Sequence, residues 1–309
     1  MRKEFAEWCE NHLQEKKHLF LTGDLGFMAL ENVRDSLNER FINMGVAEQN
    51  MMGVAAGLAS VGFVPLCYSI ASFAVYRPAE QIRLDICLHE RNVKIVGNGG
   101  GYGYGIMGAT HHALEDYGLL STFHSMKCFI PFANSEVESA CEKMYEYQGP
   151  SYLRLGYGIL TEAHQFRFNL KQSYMPLQKL SSGNDLTIVF VGSVGINVLE
   201  AICELESVEQ SSLSCAVYAL KELPLCSFSD EFLEDLKRSK KLLVVEEHVA
   251  RAGVGEYLAH YLLRTNMNVI FSHLNALGYP SKTYGRQSFH QKQSGLDKDN
   301  IKKTIIEML

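Results

Sequence analysis

Short apolar runs bounded by turn residues alternate with helical patterns along almost the whole chain, and this alternation constrains the fold most tightly. HLFLTGDLG reads as a buried strand ending in Gly23, Asp24 and Gly26. RFINMG (40–45), VPLCYSI (64–70), NVKIVGN (92–98), CFIPFA (128–133) and SYLRLG (151–156) read as further strands. Helical patterns lie at the amino terminus, at 46–61 and at 73–90, where Pro78 interrupts early because it lacks a backbone donor. Ser135 with Glu138 predicts a capping box for the helix after CFIPFA. Strands joined by helices form parallel sheets, since each helix carries the chain back to the starting edge.

A second α/β unit starts at DLTIVFVGS (185–193) and continues through strands at 214–220, 241–248 and 268–274. Its helices are expected near 195–206, 229–239, 254–265 and 298–308. Residues 157–182 lack strong periodicity and read as a connection. The fold class expected is therefore two α/β domains with parallel or mixed sheets, at 1–160 and 183–309, with a linker at 161–182.

The length of 309 residues suits two domains, and 47% hydrophobic with 21% charged residues supports a large core. A net charge of −6 argues against nucleic acid as a partner, which calls for a basic face. The polar amino terminus shows no signal peptide, and no apolar run reaches the ~18 residues that cross a membrane. The eight cysteines form no CxxC and read as reduced thiols of a cytoplasmic protein, with no metal site.

Within this frame, GVAEQNMMGVAAGLA (45–59) isolates one acid, Glu48, before a helix of mostly small and apolar residues. Such an acid serves either the helix dipole or a packed, poorly hydrated functional site. GNGGGYGYGIMGATHH (97–112) carries seven glycines before His111 and His112. Residues 103–108 match G-x-G-x-x-G, but the match begins well past the strand end and no acid follows ~20 residues later, against a dinucleotide site. Each histidine is either a satisfied polar group at a helix start or a donor to a substrate oxygen. Phe73 and Tyr76, three apart, share a helical face and are either core or an aromatic wall for a flat heterocycle. Asp24 sits at the carboxyl end of a strand, where α/β sites gather. EEH (246–248) with the glycines after it reads as a capped helix start and a domain contact.

Together these strings resemble the carboxy-terminal half of a transketolase, of the split kind in which two polypeptides share one enzyme. GVAEQNMMGVAAGLA resembles the family's catalytic-glutamate helix, GATHHALED its glycine-rich loop, and DLTIVFVGS, VVEEH and AGVGEYLA its carboxy-terminal domain. The resemblance implies a thiamine-diphosphate enzyme that transfers a two-carbon ketol unit between sugars. It implies that Glu48 bonds the cofactor's aminopyrimidine ring and that His111 acts beside it in catalysis. Asp24, Ile70, Phe73 and Tyr76 would contact the cofactor, and His112 and Met107 the substrate. The chain contains no G-D-G, the family's diphosphate and metal motif. Those groups, including the Mg²⁺ ligands, are therefore expected on an amino-terminal partner subunit, in a heterotetramer that includes self-association of this chain.

Three departures bear on the substrate. Met107 stands where transketolases carry an acid that reads a donor hydroxyl, and Gly99 and Tyr157 stand where a histidine and an arginine grip a sugar phosphate. Arg154 is near Tyr157 but out of register. A non-standard sugar is expected, one whose binding does not depend on a terminal phosphate held by this chain. Two other readings remain at this stage: the β subunit of a 2-oxo acid dehydrogenase, and a non-catalytic interaction subunit.

Overall fold

The computed structural model describes residues 1–26, 28–170, 174–207, 213–225 and 227–309. In chain order its strands are β1 (His18–Thr22), β2 (Phe41–Asn43), β3 (Val64–Ile70), β4 (Lys94–Asn98), β5 (Lys127–Phe129) and β6 (Ser151–Leu155). They continue with β7 (Leu177–Ser181), β8 (Leu186–Val191), β9 (Cys215–Leu220), β10 (Glu222–Leu223), β11 (Lys241–Glu246) and β12 (Ile270–Leu274). One sheet has the order β10-β5-β6-β4-β3-β1-β2 and is parallel except where β10 meets β5. The other has the order β12-β11-β8-β9-β7 and is parallel except where β7 meets β9. The architecture is thus two mixed-sheet α/β units. β10 leaves the second unit to close the edge of the first sheet.

Burial explains the strand sequences. β8 and β9 are buried at every position because elements cover both faces of their sheet, so they read as continuous apolar runs rather than alternating ones. One apolar cluster runs through both units, joining Met51, Met52, Cys67, Ile95 and Tyr152 to Val189, Tyr218 and Val244. Among the described residues, seven cysteines are free thiols, six of them buried; Cys226 lies outside the described residues.

Three local expectations are corrected. The stretch read as a connection contains helix Glu162–Arg167 and strand β7. β7 escaped notice because its polar residues are used inside the fold: Lys179 pairs with Asp235 at 2.6 Å, and buried Gln178 accepts from Lys221. The capping box at Ser135 and Glu138 does not form. The chain enters that helix through a 3-10 turn, Asn134–Glu136, which places Glu136 at the cap, and its carboxylate instead accepts from the Phe132 N–H at 3.2 Å. A capping box does form at Thr161 and His164. The helix expected at 73–90 breaks at Pro78 into Ala71–Val75, Ala79–Gln81 and a π-helical turn, Ile82–Cys87.

Because β1 to β4 run parallel, their carboxyl ends lie along one edge of the sheet. Asp24 follows β1, Glu48 follows β2, Phe73 follows β3 and the glycine-rich loop follows β4. This is the edge at which α/β sheets place their ligands.

Candidate functional site

The loop after β2 delivers Glu48. Asn43 accepts from the Gly45 N–H at 2.9 Å, and Gly45 takes a φ of +70°, a left-handed conformation that glycine adopts without strain. Helix Glu48–Ser60 then begins with no side-chain cap, and Glu48 is its first residue. Met51, Met52, Ala55 and Ala56 pack inward and hold this start against the core. Glu48 is only 4% exposed, and its carboxylate sits where the helix dipole favours negative charge.

The partner of Glu48 is a residue that the sequence reading did not single out. Arg77 Nη1 donates to Glu48 Oε2 at 2.9 Å, and the Arg77 side chain is 43% exposed. Its guanidinium carbon lies 3.8 Å from the centre of the Phe73 ring, a cation–π contact. Phe73 in turn packs on His111, ring centres 5.0 Å apart. His111 Nδ1 is 2.9 Å from the Thr110 hydroxyl, and the Thr110 carbonyl accepts from Ser72 at 3.2 Å. Three loops thus converge in the order Glu48, Arg77, Phe73, His111. A cavity of about 600 Å³ opens at Glu48, lined also by Val46, Gln49, Asn50 and Arg77. The arrangement offers a buried acceptor, an aromatic face and an imidazole, which suits a flat, donor-bearing heterocycle beside a hydroxylated ligand.

The other expected residues divide. Ile70 ends β3, half-buried, directly before the helix that carries Phe73. Asp24 is exposed and accepts from Asn43 at 3.2 Å; it lines a cavity of about 510 Å³ with Thr22, Arg34 and Phe41. Asn43 therefore ties the Asp24 loop to the Glu48 loop. Met107 is 53% exposed on a 3-10 turn of the glycine-rich loop. Tyr76 does not share the partners of Phe73. Its hydroxyl donates to the Glu115 carboxylate at 2.7 Å and accepts from the Glu115 N–H at 2.9 Å, while burial and the nearby carboxylates of Asp116 and Glu115 keep it protonated.

His112 turns away from His111. It is 2% exposed; Nε2 donates to the Gly105 carbonyl at 2.8 Å, so Nδ1 accepts from the Tyr279 hydroxyl at 2.9 Å. Burial holds its pKa down to about 4. With both nitrogens used inside the chain, His112 ties the glycine-rich loop to the carboxy-terminal segment, and a substrate contact from it has no free ring atom to use.

The glycines serve the same docking. A Cβ on Gly101 lies 2.3 Å from Glu247 Oε1, and one on Gly105 lies within 3.2 Å of the Arg286 and Gln287 backbone. Glu247 accepts from the Tyr102 N–H at 2.6 Å and from Gln291 at 2.6 Å, while Glu246 accepts from the Val254 and Gly255 N–H groups at 2.9 and 2.8 Å. EEH is thus a helix cap and a domain contact, as its sequence suggested. Arg154 is buried with Asp116 at 2.8 Å and the Ala113 and Glu247 carbonyls at 3.0 Å, so it is no sugar-phosphate ligand. At Gly99, φ is +72° and a Cβ falls 2.3 Å from the Tyr104 ring. Tyr104 fills the space where the resemblance places a histidine. Tyr104, Asn98, Tyr157 and Arg2 line a further cavity of about 480 Å³. Among the described residues, no three His, Cys, Asp or Glu side chains gather to hold a metal ion, and no helix is long and apolar enough to cross a membrane.

Comparison with known proteins follows this division. Residues 1–161 match the transketolase pyrimidine binding domain and residues 177–301 the transketolase C-terminal domain. An apulose-4-phosphate transketolase subunit of Phocaeicola vulgatus is 28% identical, over all of this chain and 97% of its own. A 6-deoxy-6-sulfo-D-fructose transketolase subunit of a Clostridium species is 30% identical, over 77% of this chain and 73% of its own. A split gene transketolase solved as an inactive beta4 tetramer superposes with a TM-score of 0.81 and 28% identity, covering 100% of this chain and 97% of that one.

Proposed function

Because the chain belongs to the transketolase family, we propose that it is the pyrimidine-binding subunit of a split transketolase that moves a two-carbon ketol unit between sugars. The observation that carries this is the buried Glu48 carboxylate, linked through Arg77 to the Phe73 ring, with His111 packed against the same ring. The family implies thiamine diphosphate, and Glu48, Phe73 and Ile70 fit its aminopyrimidine half by chemistry: an acceptor, a flat apolar face and an aliphatic neighbour. When bound, that cofactor supplies the nucleophilic carbon and the electron sink for carbon–carbon bond cleavage. Glu48 holds the proton at the ring nitrogen, and its burial keeps water from competing. His111, oriented by Thr110, hydrogen-bonds a substrate hydroxyl. Asp24, tied through Asn43 to the Glu48 loop, would meet the cofactor from the neighbouring loop. Met107 replaces a polar reader of the donor with an apolar one.

We assign the diphosphate and Mg²⁺ ligands to an amino-terminal partner, and the active assembly to a heterotetramer that pairs two copies of each chain. A reducing cytoplasm suits the free thiols. The distal end of the sugar is assigned to the cavity of Asn98, Tyr104, Tyr157 and Arg2. Against the expectation that this chain holds no sugar phosphate, relatives named for a phosphorylated and a sulfonated sugar support an anionic group there, met by Arg2 and Lys3, which line the cavity with Glu4, rather than by the usual histidine and arginine.

Reconstitution tests the function. The two chains together are expected to transfer ketol units from a non-standard ketose, and each chain alone to be inactive. Transfer at ordinary transketolase efficiency from xylulose 5-phosphate to ribose 5-phosphate overturns the substrate assignment. No transfer from any ketose overturns the function.

A further inference from the structure

Arg77 makes, inside the chain, the two contacts that an aminopyrimidine ring requires. Its guanidinium is planar and donates N–H to Glu48, and its face lies on Phe73. The aminopyrimidine is also planar, presents N–H to a carboxylate once its ring nitrogen is protonated, and stacks on an aromatic face. The face of Phe73 that Arg77 covers cannot also hold the pyrimidine, and a ring seated there beside Glu48 Oε2 meets the guanidinium. We propose that Arg77 is a latch that competes with thiamine diphosphate for Glu48 and Phe73, so that cofactor binding displaces its side chain. This rests on the functional reading above.

Burial and exposure support the direction of movement. Glu48 is fixed at a packed helix start, whereas Arg77 is 43% exposed and returns its own charge to water as the arriving ring takes its place on Glu48. Apart from Glu48, Arg77 is the charged residue that lines the cavity at that carboxylate. The latch also has a use before assembly. A carboxylate 4% exposed is costly when unpaired, and Arg77 neutralises it until the cofactor arrives. Removing Arg77 is therefore expected to act with opposite signs, weakening the lone chain while strengthening cofactor binding.

The test is calorimetric titration of thiamine diphosphate, in excess Mg²⁺, into the complex of this chain with its amino-terminal partner. Arg77→Met is expected to tighten binding roughly 5- to 30-fold, the combined worth of one part-exposed ion pair and one cation–π contact. The thermal midpoint of the Arg77→Met chain alone is expected to fall. Arg77→Gln, which stays polar but loses the charge and the reach of the guanidinium, gives the same comparison if the methionine variant assembles poorly. Normal wild-type binding with unchanged or weaker variant binding overturns the latch alone. A wild-type complex that binds no thiamine diphosphate overturns the functional reading and the latch with it.

Discussion

On the proposed reading the chemistry turns on Glu48, which joins burial, a helix start and an accepted hydrogen bond from Arg77. Glu48→Gln preserves shape but cannot take up a proton. In the assembled enzyme it is expected to slow hydrogen–deuterium exchange at the cofactor's C2 carbon by ~10²- to 10⁴-fold, the range typical of acid–base groups. Wild-type exchange in that variant would reduce Glu48 to a structural acid. Glu48 and the histidine pair could be singled out in the sequence because each lies in a short motif, and their catalytic roles belong to the proposal above. Arg77 could not, since its partner lies 29 residues away and only the fold brings them together. Adjacent histidines are ambiguous for a related reason. The path of the glycine-rich loop decides which imidazole faces the site, and that path depends on contacts with residues 279–287.

The glycine-rich loop and helix Glu48–Ser60 are the elements that carry testable consequences. The loop is bonded to the second unit through neutral His112, whose folded pKa of about 4 lies below its ordinary 6.5. The unfolded chain takes up that proton first as pH falls. His112 therefore contributes stability that is full above about pH 6.5 and lost on descent towards pH 4, on the order of 3 kcal/mol. His112→Gln does not titrate, so its melting temperature is expected to fall less than the wild type's between pH 6.5 and 4. Parallel pH curves for the two proteins would contradict this. The helix presents an uncharged outer face of Asn50, Gly53, Val54 and Gly57, and a Cβ at Gly53 or Gly57 meets nothing within 4 Å. Those glycines are not needed for packing inside the chain. Gly57→Leu is expected to leave the lone chain folded by circular dichroism and to weaken partner association at least tenfold in sedimentation, if this face meets another subunit. Full association would place the interface elsewhere. Most elements were legible from strand and helix periodicity. β7 was not, because its lysine and glutamine find partners inside the fold and mask the apolar alternation.

At the scale of the whole molecule, the two units share one apolar cluster and a buried polar seam in which Tyr117 donates to Glu246 and the Gly118 N–H donates to His248 at 3.2 Å. The seam fixes the glycine-rich loop, and with it His111, relative to Glu48. On the proposed reading, what the chain offers a cofactor is one half of a site: an acceptor and an aromatic face, with the anionic half assigned to another polypeptide. The measurement that tests this most directly is titration of thiamine diphosphate and Mg²⁺ into this chain, into its amino-terminal partner, and into the two together. Tight, Mg²⁺-dependent binding is predicted only for the mixture, with weak binding to this chain alone. Tight, Mg²⁺-dependent binding to this chain by itself would contradict the split-site account.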